Sequence, residues 1–209
     1  MGIQASSKEI SDRQLTHLID TAIGIGASDA KSIFSSDIRI EEHLASLCNN
    51  AIPCENFGLS PSCPPHVQGP SAFRQWQRES TFSIVVRIVL PTQIMLSNER
   101  RGVMQLLHEI VANVEREAIE MGFNETRAFA GGSCKNLFCK DHENCRVITK
   151  QGSCRNPNLA RPSMSGFGID VTKLLQTAGW PLKMANEIES KDQVSLSWVA
   201  GLILIAGAS

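Results

Sequence analysis

The sequence predicts an α/β domain built on a single mixed sheet with a β-α-β core, from which two cysteine-rich irregular loops depart. Three observations predict it. Residues 81–90 carry Ile84, Val85, Val86, Ile88 and Val89, a β-branched run typical of a strand. From Ser97 onward, Val103, Leu106, Leu107, Ile110, Val111, Val114 and Ala118 recur at helical spacing until Gly122 stops the pattern. Residues 48–70 and 131–166 hold all seven cysteines and show almost no periodicity.

The remaining elements follow in order. Ser11 caps a first helix whose Leu15, Leu18, Ile19 and Ala22 share one face, and Gly24 and Gly26 end it. A short strand is weakly signalled at 32–35. Ser36 or Asp37 then caps a helix carrying Ile40, His43, Leu44 and Leu47, which delivers the chain to Cys48. A short helix is expected at 72–79. A strand at 126–130 completes the β-α-β unit, Asp170 caps a last helix with Val171, Leu174 and Leu175, and 194–205 returns as a strand. The whole chain, 1–209, reads as one metal-binding domain.

The composition excludes some functions. The formal net charge is −1, aromatics make up 5% and tyrosine is absent, which argues against a nucleic-acid binder. Residues 1–6 match the short myristoylation pattern formally but lack the apolar run of a signal peptide. The apolar tail is shorter than the ~20 residues a membrane span needs. A cytoplasmic protein is expected, and there thiols stay reduced. Seven is also an odd number, so a disulfide scaffold would leave one thiol over.

The cysteines therefore read as metal ligands, in the groups Cys48, Cys54, Cys63 and Cys134, Cys139, Cys145, Cys154. No pair stands two residues apart, so the knuckles of zinc ribbons are missing, whereas a cubic iron–sulfur cluster accepts ligands from a wandering loop. Cys63 is followed by Pro64 and Pro65, which stiffen the chain and turn it away from a ligand. Gly131 and Gly132 precede Cys134 and allow backbone amides to approach an anionic cluster. Between Cys134 and Arg161 six Lys or Arg residues face two acids, and Arg155 directly follows Cys154. One or two four-iron clusters are expected, with zinc the alternative.

His66 and His142 are possible extra ligands, while His17, His43 and His108 lie on helices with no chemical role expected. Three functions stay open. The first is an iron–sulfur electron carrier or redox sensor with a redox protein partner. The second is an enzyme in which Cys48, Cys54 and Cys63 leave one iron open and Arg155 and Arg161 bind an anionic substrate. The third is a zinc-stabilised interaction module.

Several strings also carry a family likeness. Cys54-Glu-Asn-Phe-Gly58 and Cys63-Pro-Pro, then Gly132-Ser-Cys134, Cys154-Arg-Asn-Pro157, Arg161-Pro-Ser-Met164 and Gly168-Ile-Asp170-Val171 stand in one order. Over roughly 45–180 the chain resembles a family of predicted metal-binding proteins of unknown function, found mainly in anaerobic bacteria and archaea. The resemblance implies metal binding and an anaerobic setting, and it supplies no reaction. The family spaces its cysteines more tightly, and it commonly has an acid where this chain has Ser165.

Overall fold

Ser11 opens helix α1 (Asp12–Ile25) with a capping box, its hydroxyl accepting from the Gln14 amide while Gln14 Oε1 accepts from the Ser11 amide at 3.0 Å. Gly26, at φ 131, ends the helix with its N–H on the Ala22 and Ile23 carbonyls. The computed structural model describes residues 10–181 and 195–207, so the N-terminal hexapeptide lies outside the described residues. Strand β1 (Asp29–Phe34) follows, at the weakly signalled position.

The helix expected from Ser36 or Asp37 is broken up. A 3₁₀ turn at Ser35–Asp37 gives way to extended chain, then to the short helix α2 (Glu42–Ser46) and a second 3₁₀ turn at Leu47–Asn49 that carries Cys48. The cause is tertiary: Ile40 bridges to Ile169 as an isolated β pair, which removes it from any helix. Beyond the first cysteine loop come α3 (Gly69–Glu79), β2 (Phe82–Pro91), the single-turn α4 (Thr92–Leu96) and the long α5 (Arg100–Glu120). Strand β3 (Arg127–Phe129), α6 (Cys134–Phe138), α7 (Val171–Thr177) and β4 (Leu196–Ile205) complete the order. Asp170 caps α7 as expected, its Oδ1 accepting from the Lys173 amide at 3.0 Å.

The sheet is single, and the α/β class holds. Its order is β1-β2-β4-β3, and every ladder is antiparallel, where a mixed sheet was expected. The β-α-β unit exists in split form. Strands β2 and β3 run parallel to each other, but β4 slots between them and pairs antiparallel with both. Sequence pattern carries no information on that insertion, because a buried strand reads the same at any position in a sheet.

Both faces of the sheet are covered, which explains why β2 and β4 are apolar throughout rather than alternating. Side chains of Ile84, Val86, Val199 and Ile203 pack with Leu15, Leu18, Leu107 and Val111 of α1 and α5. Val85, Phe129, Leu202 and Leu204 pack on the other side with Phe73 of α3, Phe167, and Leu174 and Leu175 of α7. The period of two along each strand thus sorts one apolar run into two cores. No helix among the described residues is long and apolar enough to cross a membrane.

Candidate metal centre

The two cysteine loops meet at the edge of the sheet. Ala130, just past β3, forms a parallel bridge with Ser163, and the Ser163 amide in turn donates to the Ser62 carbonyl at 2.9 Å. Three segments distant in sequence are thereby laced together. Buried hydroxyls continue the contact: Ser60 lies 2.9 Å from Ser62 and 3.5 Å from Ser133, and Ser62 Oγ donates to Cys134 Sγ at 3.0 Å.

Cys134, Cys139, Cys145 and Cys154 all line one cavity with Phe138 and Asn156. Its enclosed volume is about 20 Å³, the room of a single water, so a larger occupant requires the thiols to rotate outward. Among the described residues, no three His, Cys, Asp or Glu side chains converge as the donors of a single metal ion do. Sulfur is nevertheless well supplied with donors. The Asn156 amide donates to Cys154 Sγ at 3.3 Å and its side-chain Nδ2 to Cys139 Sγ at 3.3 Å, while Ser62 serves Cys134. Burial pushes the Cys134 thiol up, an effect opposed by the Ser62 and Ser60 hydroxyls and reinforced by Cys63 and Cys154 nearby. A metal therefore has to displace its proton.

Lys135, Arg146 and Arg155 line the same cavity. Each also binds the loop's own carbonyls: Lys135 reaches those of Cys139 (3.1 Å) and His142 (2.6 Å), Arg146 those of Ser153 and Cys154, and Arg155 that of Asn144 (3.4 Å). The local excess of positive charge thus organises the loop backbone. Arg161 is committed elsewhere, its Nε 2.6 Å from Glu115 Oε2 on α5 with both side chains largely buried, so the expected role on an anionic substrate is closed to it.

Gly131 and Gly132 pack against α5. A Cβ at Gly131 would meet only the flexible end of Met104, whereas Gly132 has φ +81, a backbone conformation that favours glycine. The Gly131 carbonyl accepts from His108 Nε2 at 3.1 Å.

Cys48, Cys54 and Cys63 form the second gathering. The Cys54 amide donates to the Cys48 carbonyl at 3.2 Å, and burial pushes the Cys48 thiol up, with Cys54 and Cys63 adding to it. Cys63 is buried, and its proximity contributes to raising the thiols of both Cys48 and Cys134. Cys48 and Cys54 border a hollow of about 300 Å³ with Ser165 and Asp170. His66 bonds the Gly58 carbonyl at 3.2 Å, and His142 is exposed.

Sequence reasoning missed Asn156, Ser62 and His108. The first two do sit beside cysteines, within the Cys154-Arg-Asn-Pro157 string and just before Cys63. His108 sits on the apolar stripe of α5, an unusual place for an imidazole, and is fully buried. Its Nδ1 accepts from the Arg161 amide at 3.1 Å, so one ring holds both ends of the 131–161 loop.

Comparison with curated proteins and with solved structures finds no match. A family model does match, described as "Predicted metal-binding protein (DUF2284)", over residues 31–205. That span takes in both cysteine groups, all four strands but for the first two residues of β1, and the loops that join them. The chain belongs to this family of predicted metal-binding proteins.

Proposed function

We propose that the chain holds a four-iron, four-sulfide cluster on Cys134, Cys139, Cys145 and Cys154 and acts as an electron carrier. The observation that carries this reading is the shared cavity: four thiols border it, and three of the sulfurs already accept hydrogen bonds. Donors of this kind suit sulfur that bears negative charge, and they are a main control of cluster potential. Lys135, Arg146 and Arg155 on the same wall offset the charge of four thiolates.

Zinc fits these residues less well. Structural zinc sites lean on closely spaced cysteine pairs. Cysteine pairs two residues apart are missing here. The bound cluster supplies one-electron chemistry. The protein's part is to hold the thiolates, to direct Asn156 and Ser62 at their sulfurs, and to keep Phe138, Val147 and Ala160 against the cavity so that water is excluded.

A second reading adds an enzyme activity. Cys48, Cys54 and Cys63 would hold a further cluster with one iron lacking a cysteine, and the hollow beside Cys48 and Cys54 gives a ligand access to it. Iron, zinc and acid-labile sulfide per chain, measured on protein purified without oxygen, test both readings. About eight irons and eight sulfides support two clusters, and about four of each support the first alone. Stoichiometric zinc with no labile sulfide overturns both.

A further inference from the structure

Cys48 and Cys54 stand apart from the four-cysteine cavity and close to each other. Cys48 lies on the 3₁₀ turn at Leu47–Asn49, and the chain then doubles back until the Cys54 amide donates to the Cys48 carbonyl at 3.2 Å. A direct backbone hydrogen bond of this kind brings two Cα atoms into the range of about 4.4–6.8 Å that a disulfide spans. Both residues border one hollow of about 300 Å³, whose apolar wall includes Leu44, Leu47 and Val171. Cys54 is exposed and Cys48 half-buried, so a small molecule in the hollow reaches both. Cys63, the third cysteine of this loop, is buried and does not border the hollow.

We propose that Cys48 and Cys54 are a redox-active dithiol that exchanges with small disulfides and closes reversibly into a Cys48–Cys54 bond. The dithiol goes beyond the four-cysteine cluster and competes with an open-iron cluster for the same two thiols. The loop suits this chemistry. No helix or strand holds residues 50–54, and Ile52 at the tip is 89% exposed, so closing the bond displaces no packed side chain there. Only five residues lie between the two cysteines, so little loop entropy opposes closure. In a reducing compartment disulfides of this sort are transient and serve catalysis or redox sensing.

The exchange takes two steps. The exposed Cys54, as thiolate, attacks one sulfur of the small disulfide, whose S–S bond breaks and whose first half leaves as a thiol with the proton Cys54 gave up. Cys48, as thiolate, then attacks the Cys54 sulfur of the mixed disulfide and releases the second half as a thiol. Two protein thiols are thereby oxidised by two electrons, and one small disulfide is reduced to two thiols.

The test treats the full chain, purified without oxygen, with 2-hydroxyethyl disulfide and counts thiols, iron and acid-labile sulfide together. About two thiols per chain should be lost while about four irons and four sulfides remain, and dithiothreitol should restore the thiols. Cleavage after Glu42 and Glu55 releases residues 43–55, which contain Cys48 and Cys54 and no other cysteine. Mass spectrometry should find that peptide internally linked. Cys48→Ser should halt the reaction at a hydroxyethyl adduct on Cys54. Cys54→Ser should slow modification of the peptide by ~10-fold or more, since only the half-buried thiol is left. A bond from either residue to Cys63, no adduct in Cys48→Ser, or iron lost in step with the thiols would each overturn the proposal. Failure to form the link with iron and sulfide present sinks the dithiol alone, and a link formed on protein without them sinks only the cluster.

Discussion

His108 shows how a side chain that touches no thiol controls the cysteine loop. Burial depresses its pKa from 6.5 to about 4, against the pull of its carbonyl hydrogen bond to Gly131. The ring is therefore neutral near pH 7, with Nε2–H donating to the Gly131 carbonyl and Nδ1 accepting from the Arg161 amide. A folded-state pKa below the unfolded one means the unfolded chain takes up the proton first as pH falls. The stability this neutral imidazole provides is complete above pH 6.5 and is lost between there and about pH 4. The loss is on the order of 3 kcal/mol at about 1.4 kcal/mol per pKa unit. Urea midpoints at pH 7 and pH 5 should show about half of that decline, and His108→Gln should remove much of the pH-dependent part. Asn156 acts on the sulfurs instead. Asn156→Ala deletes one donor to Cys139, worth about 1 kcal/mol, so a redox titration should find the potential lowered by roughly 40 mV with iron content kept. The cysteines were legible in sequence because their loops cannot build a core. Asn156 and Ser62 were not, because a polar side chain in a loop reveals no partner until the fold supplies one.

Elements were legible wherever one face alone is buried. Both α1 and α5 begin and end close to their sequence signals, since caps and an apolar stripe are local properties. The stretch from Ser36 to Leu47 was misread because its apolar residues answer to a distant strand-like pairing at Ile169. Helix α6 was overlooked because one turn of helix within a cysteine loop has no periodicity to detect. Strand β4 was legible as a strand and illegible in position. What seats it between β2 and β3 is visible at Gly201, where a Cβ would stand 2.5 Å from Val111 Cγ1 and 3.2 Å from the Phe129 carbonyl. Glycine there lets α5 close on the sheet. Gly201→Ala must push α5 outward, and overpacking of this kind costs about 1–3 kcal/mol. The denaturant midpoint should fall accordingly, while the iron content of the folded protein stays the same, since α5 moves at its middle and not at the cysteines. A larger effect on iron than on stability would show that α5 and the loops move as one.

At the scale of the whole molecule, apolar packing and the cysteines occupy different parts of the chain. The two cores are built from the helices and both faces of the sheet, and neither contains a residue from 41–66 or 131–163. What joins the loops to that frame is largely polar: the Ser62–Ser163 and Ala130–Ser163 backbone pairs, the His108 ring, and the Arg161–Glu115 ion pair, with Leu137 and Phe138 as apolar contacts toward α5. Hydrophobic burial is the main source of folding stability, so the frame has its own driving force, and the loops, which lie outside both clusters, have less of it. Small metal domains that lack a core unfold when the metal leaves. This protein should divide instead. Chelation of the metal should release the amides of 48–66 and 134–160 to hydrogen exchange, because local opening there exposes little apolar surface. Amides of β2, β4 and α5 should keep their protection, and the thermal transition should remain cooperative. Ala130 and Arg161 mark the boundary, and their amides should report an intermediate opening energy, since the clamp from α5 holds them whether or not the thiols are ligated. Collapse of protection in β2 and β4 together with the loops would show that the metal is part of the core's own stability, and that the two apolar clusters cannot hold the sheet without it.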